Sequence, residues 1–235
     1  MTKKILITGA NGQLGHEMRN ALKGNNRFEC IFTDVAELDI CNAEAVKQTI
    51  ADNHIDYIVN CAAYTQVDKA EDNAELCKKI NTDAVENLAR AAATYGARMI
   101  HISTDYVFNG RGYRPYTEDV VPDPQSVYGS TKLEGEKILT DICPESIIIR
   151  TAWLYSPYGN NFVKTMLHLG EEREELSVVA DQIGTPTCAA DLAQAILVIL
   201  QADTFVPGTY HFSDEGVCSW YDFTVTTVSY THLTL

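Results

Sequence analysis

Ile5-Leu6-Ile7-Thr8-Gly9-Ala10-Asn11-Gly12-Gln13-Leu14-Gly15 is a short apolar run that breaks into three glycines spaced three residues apart. An unalternating apolar run suits a strand buried on both faces. The glycines then have separate tasks: Gly9 permits a tight turn, Gly12 lets the backbone approach a pyrophosphate, and Gly15 lets the next helix pack against the strand. Asn11, Gln13 and Leu14 fill the turn and open that helix, whose free N–H groups favour an anion. The junction therefore predicts a dinucleotide cradle at the start of an α/β domain. A glycine-rich turn without a ligand would look the same, and the rest of the chain separates the two readings.

Outward from this junction, short apolar runs alternate with amphipathic stretches. Strands are expected near Ile5 to Thr8, Cys30 to Thr33, Ile55 to Asn60, Arg98 to Ser103 and Ser146 to Arg150. Gly24 and Gly96 stand where C-terminal caps belong, Asn42 starts one helical stretch, and Asn81 to Thr94 carries Ala and Leu at helical spacing. This rhythm predicts a Rossmann-type, doubly wound parallel sheet over residues 1–150. Residues 151–235 read as a smaller lobe for the substrate, mixed with elements returning to the sheet. There a helix is expected near Asn161 to Leu169, a strand at Leu176 to Ala180 and an apolar helix from Ala189 to Gln201. From Thr224 a β-branched run contradicts the helix start at Ser219-Trp220-Tyr221-Asp222-Phe223, which suggests a truncated or non-native ending.

Composition excludes several functions. A formal net charge of −14 with no basic cluster argues against nucleic acid as a partner, so an anionic ligand must be held by backbone N–H groups and helix ends. No apolar run is long enough to span a membrane, and no leader is evident at the N-terminus. Seven scattered cysteines, with no C-x-x-C pair, read as reduced thiols of a cytoplasmic protein. No cluster of His, Asp and Glu has metal-ligand spacing, so no metal site is expected.

Two further patterns carry chemistry. Asp34 lies about 20 residues beyond the glycines at the end of the second strand, where an acidic residue binds a ribose 2′-hydroxyl. This favours NADH over NADPH, although a plain turn aspartate would occupy the same place. Asp39 and Ile40, further along that loop, are placed to approach the adenine. Ala62, Ala63 and Tyr64 follow the third strand, where small residues admit a cofactor. Tyr128-Gly-Ser-Thr-Lys132 puts a phenol and an ammonium on one helix face. The cation should lower the phenol's pKa toward the working pH of an acid–base catalyst. Ser103-Thr104-Asp105 follows the fourth strand, so a hydroxyl emerges at the sheet edge where the cofactor is expected. Arg150, ending the fifth strand, reads equally as a phosphate ligand or an ion-pair partner, and His101 as strand packing.

Together these motifs resemble the extended short-chain dehydrogenase/reductases. Longer segments are similar to the dTDP-4-dehydrorhamnose reductase family: Asn60-Cys-Ala-Ala-Tyr-Thr-Gln-Val-Asp-Lys-Ala-Glu71, Ser103-Thr-Asp-Tyr-Val-Phe108, Arg150-Thr-Ala-Trp-Leu-Tyr155, Asn161-Phe162 and Asp181-Gln-Ile-Gly-Thr-Pro-Thr187. The resemblance runs from Ile5 to about Phe223, and the family normally continues beyond the end of this chain. It implies hydride transfer from NAD(P)H to C4 of a dTDP-4-keto sugar, giving dTDP-L-rhamnose. By the same resemblance Tyr128 would protonate the carbonyl, Lys132 would hold the nicotinamide ribose, and Thr104 would donate to the developing oxyanion. Asp105, Tyr106, Trp153, Thr65 and Val67 would line the sugar nucleotide. Trp153 could instead be a core aromatic, and Asp181 to Thr187 a simple turn. A homodimer is the family precedent, and Mg2+ is associated with some members. Two other readings stay open: a related nucleotide-sugar epimerase or dehydratase, and a non-catalytic subunit similar to the beta subunit of methionine adenosyltransferase.

Overall fold

The computed structural model describes residues 2–232. Its first half runs β1 (Lys3–Thr8), α1 (Gln13–Ala21), β2 (Phe28–Thr33), α2 (Ala43–Asn53), β3 (Tyr57–Asn60), α3 (Val67–Asp72), α4 (Ala74–Lys78), a π-helical turn (Lys79–Asp83), α5 (Ala84–Tyr95), β4 (Arg98–Thr104), a 3-10 turn (Asp105–Val107), α6 (Val127–Ile142) and β5 (Ile147–Thr151). There follow β6 (Leu154–Tyr155), α7 (Phe162–Glu172), β7 (Ile183–Gly184), β8 (Thr187–Cys188), α8 (Ala189–Gln201), β9 (Gly208–His211), β10 (Cys218–Ser219) and α9 (Trp220–His232).

The main sheet has the order β2-β1-β3-β4-β5-β9, and every pairing is parallel. Helices cover both faces, which is why its strands are continuously apolar. On one face Leu6, Ile58, Met99 and Ile148 meet Val46 and Ile50 of α2, Leu88 of α5 and Leu139 of α6. On the other Ile5, Ile7, Val59 and Ile100 meet Leu14 and Met18 of α1 and Leu192 and Ile196 of α8. The second half of the chain thus contributes β9 to the sheet and α8 to its core. Between β1 and β3 the strand order reverses, leaving the crevice at the carboxyl ends where such sheets bind ligands.

Local signals explain most element ends. Asn42, Ser126 and Asn161 cap α2, α6 and α7 by accepting from Ala45, Gly129 and Lys164 N–H groups. Gly96 closes α5 at φ +74°, where a side chain would be strained. Two expectations need correction. Leu176 to Ala180 is not a strand: Leu176 and Val178 turn partly inward, but among the described residues no strand pairs with the segment, and the Val179 carbonyl accepts from the Tyr221 N–H of α9 instead. The β-branched run from Thr224 is helical as far as His232, because a reciprocal Ser219–Asp222 cap starts α9 and α7 packs along it. Residues 233–235 of that run lie outside the described residues.

Candidate active site

The crevice begins at the first glycine turn. Gly9 has φ +63°, and a Cβ there would lie 2.6 Å from the Ala62 nitrogen, so only glycine fits. A Cβ on Gly15 would lie 2.4 Å from the Gly9 carbonyl oxygen, which lets α1 begin directly against the turn. The Gly12 N–H closes the turn on the Gly9 carbonyl at 3.0 Å. Gly12 offers α1 no side-chain cap and no acidic residue stands in its first turn, leaving N–H groups aimed at the crevice. A cradle this close to the backbone, with an uncapped helix end, fits a pyrophosphate.

Asp34 ends β2 beside the turn: one carboxylate oxygen accepts the Asn11 N–H at 3.0 Å and the other the Val35 N–H at 2.8 Å. It therefore shapes the loop as well as facing the crevice. Asp39 accepts the Cys41 N–H, and Ile40 turns its side chain into the core, offering only backbone to a ligand. Leu14 likewise packs into the core, and the Gln13 side chain reaches away to the Leu154 carbonyl and Asn161, tying α1 to the following lobe. Ala62 and Ala63 line the opposite side after β3. The Tyr64 backbone is clamped by Asn81, which accepts from its N–H at 2.9 Å and donates to its carbonyl at 3.1 Å. Asn81 sits in the π-helical turn, where α6 approaches so closely that a Cβ on Gly135 would lie 2.3 Å from its carbonyl oxygen.

At the carboxyl end of β4 the crevice meets α6. Tyr128 is buried with Tyr64, Val67 and Cys77, its ring edge-on to Tyr106 at 5.5 Å. Thr104 donates to Asp105 at 3.0 Å and accepts the Tyr106 N–H. Lys132 is buried, donating to the Ile102 carbonyl at 2.6 Å. Here the sequence reading is corrected: burial pushes the Tyr128 phenol well above its usual value, against a hydrogen bond with Thr104, and Lys132 does not reverse this. Desolvation moves the ammonium instead, down to about 8. The phenol is thus a protonated donor at neutral pH. Asp105 is raised to about 6, again by burial, with the Thr104 hydrogen bond opposing it.

Of the residues expected on the substrate wall, Tyr106 and Thr65 are exposed at the mouth, and Asp105 and Val67 lie partly buried beneath. Trp153 stands across from them at φ +47°, stacked on Trp220 at 3.5 Å. It holds that strained conformation because Gly184 yields space: a Cβ on Gly184 would lie 2.4 Å from Trp153 Cε2. Arg150 takes the ion-pair role, with its Nε and Nη2 donating to Glu136 at 2.7–3.2 Å. Sequence reasoning missed Asn81, Gly184, Trp220 and His101. Each acts through a partner distant in the chain, and spacing carries no signal of that. Among the described residues no group of three or more His, Cys, Asp or Glu gathers as a metal site, and no helix is long and apolar enough to cross a membrane.

A phenol, a buried lysine and a threonine hydroxyl converging beside a dinucleotide cradle define an NAD(P)-dependent reductase of the extended short-chain class. Residues 3–234 match the family model described as the RmlD substrate binding domain. The dTDP-4-dehydrorhamnose reductase of Aggregatibacter actinomycetemcomitans is 44% identical over 94% of this chain and 77% of its own length. Among solved structures, the dTDP-4-dehydrorhamnose reductase of Clostridium acetobutylicum is 50% identical with a TM-score of 0.93, covering 97% of this chain and 80% of that one. That of Bacillus anthracis, solved in complex with NADP, is 44% identical with a TM-score of 0.94, covering 99% and 82%. The chain belongs to the dTDP-4-dehydrorhamnose reductases, the oxidoreductases that act in dTDP-rhamnose biosynthesis.

Proposed function

We propose that this chain reduces dTDP-4-dehydro-β-L-rhamnose to dTDP-L-rhamnose with Tyr128 as proton donor, Lys132 and Thr104 as its catalytic partners, and NADH as the favoured reductant. The bound nicotinamide supplies the hydride to C4 of the keto sugar. Tyr128, kept protonated by burial, gives its proton to the carbonyl oxygen. Thr104 turns its hydroxyl from Asp105 toward that oxygen as charge develops there, an interaction worth most in the transition state. Lys132 would hold the nicotinamide ribose. Gly9, Asn11, Gly12, Gln13, Leu14, Gly15 and Asp34 form the pyrophosphate and ribose side of the cofactor site, with Asp39, Ile40, Ala62, Ala63 and Tyr64 completing it. Asp105, Tyr106, Trp153, Thr65 and Val67 receive the sugar nucleotide, Trp153 from the lobe over residues 151–235. The observation that carries this reading is the burial of Tyr128, Thr104 and Lys132 at the carboxyl end of β4, with Tyr128 hydrogen-bonded to Thr104 and Lys132 to the Ile102 carbonyl. Asp34 supports NADH, since its carboxylate repels the extra phosphate of NADPH. The family resemblance supports a cytoplasmic homodimer.

The test follows the absorbance of NADH or NADPH mixed with the protein and the keto sugar. Oxidation is expected to be faster with NADH and to fall by about 10²–10⁴-fold in Tyr128→Phe. A Tyr128→Phe enzyme within tenfold of the parent would refute the assignment. A preference for NADPH would refute the reading of Asp34 alone.

A further inference from the structure

A line of buried polar side chains runs beneath the site from the cofactor turn to Lys132. It comprises Thr8, Asn60, His101 and Lys132, none more than 1% exposed. Asn60 Oδ1 accepts from the Thr8 hydroxyl at 2.6 Å and from the Ala62 backbone N–H at 3.2 Å. A backbone N–H cannot reverse its polarity, so the oxygen end of this amide is fixed. Its NH2 end faces His101 Nδ1 at 3.0 Å, and that nitrogen must accept. The ring hydrogen is left on Nε2, 3.3 Å from Lys132 Nζ.

We propose that His101 is a positioning residue for Lys132: locked by Asn60 with its hydrogen on Nε2, it donates to the lysine amine and ties that lysine's protonation to the backbone of the cofactor wall. An ammonium at Nζ needs an acceptor at Nε2. Supplying one moves the ring hydrogen to Nδ1, where it meets the Asn60 NH2. Turning Asn60 over would set the same NH2 against the Ala62 N–H. Every route leaves two donors facing each other in a buried site, so protonation of Lys132 breaks the chain at one of its links. Burial acts in the same direction on both groups, bringing Lys132 down to about 8 and His101 well below its usual value. Glu136 on α6 and Cys77 on α4 also face the lysine, and both favour its charged form. The Nε2–H opposes them, and its contact with Ala62 through Asn60 makes the cofactor wall part of the balance. The importance of this for turnover rests on the catalytic role proposed for Lys132.

The tautomer is read on the parent protein by ¹⁵N NMR of labelled histidine near pH 9, above the Lys132 pKa of about 8, where the lysine is an amine. A hydrogen on Nε2 of His101 is expected, and one on Nδ1 overturns the proposal. His101→Phe keeps a ring in the slot and removes the donor. In a ¹³C-lysine titration it is expected to raise the Lys132 pKa by about one unit, with the pH profile of kcat moving alike and the KM for NADH within about twofold. Asn60→Asp offers an acceptor to Nδ1, reverses the tautomer, and is expected to raise Lys132 as well. An unmoved Lys132 titration in either folded variant overturns the proposal. These NMR readouts need no turnover, so they stand or fall separately from the Tyr128→Phe test.

Discussion

Glu136→Gln leaves the Arg150 guanidinium charged, buried and without its counter-ion. In the parent the two side chains are only 8% and 5% exposed, and Arg150 sends three hydrogen bonds to the carboxylate, from Nε at 3.0 and 3.2 Å and from Nη2 at 2.7 Å. Breaking a buried pair from one side costs about 3–5 kcal/mol, mostly the uncompensated charge that remains. For a domain of this size each kcal/mol moves the midpoint by about 2–4 °C, so thermal unfolding followed by circular dichroism should fall by roughly 6–20 °C. The same reasoning demands that Glu136→Leu combined with Arg150→Met recover most of the loss, because neither member of the pair is then left as an uncompensated buried charge. A Glu136→Gln protein melting within about 2 °C of the parent would refute the energetic argument. So would a double variant no more stable than the single one, which would mean that packing, not charge, holds this corner.

Gly184→Ala places a methyl group where Trp153 Cε2 lies 2.4 Å away, so the indole must leave its stack on Trp220. The expected result is a KM for the sugar nucleotide raised about fivefold with NADH affinity unchanged, as loss of one aromatic contact of about 1 kcal/mol requires; kinetics and tryptophan fluorescence check it. Lys132→Met abolishes turnover but stabilises the fold at neutral pH. The folded pKa of about 8 lies below the ordinary 10.5, so burying the charged form costs at most about 3 kcal/mol. That cost is fully present below pH 8 and disappears as pH rises toward 10.5. Denaturant unfolding of both proteins at pH 7 and near pH 10 should therefore show the variant's advantage shrinking with pH, and a constant difference would contradict it.

The sheet was legible because strands buried on both faces leave uninterrupted apolar runs, and the cofactor turn because its glycines are required by neighbours within a few residues. The placement of Tyr128 and Lys132 on one helix and of Thr104 at a strand end was legible for a similar reason, because a helical spacing and a strand end fix it locally. What escaped depends on partners far along the chain. His101 looked like strand packing because Asn60 and Lys132, which give it a role, lie 41 and 31 residues away. Leu176 to Ala180 alternates as a strand should, but alternation tells which way side chains face and not whether another strand will pair. The Tyr128 pKa was misjudged because spacing reveals a neighbouring cation and hides the burial that outweighs it.

Gln13 opens the cofactor helix, yet its amide oxygen accepts from Asn161, the residue that caps α7. This amide therefore joins the glycine turn to the lobe after residue 151, alongside the stack of His16 on Tyr158 and the packing of α8 on α1. Anyone exchanging the lobe after residue 151 for that of another enzyme, to change which sugar is reduced, would have to transplant a partner for Gln13 along with it. A chimera that ignores this seam would carry a correct sugar pocket hung at the wrong angle over the nicotinamide.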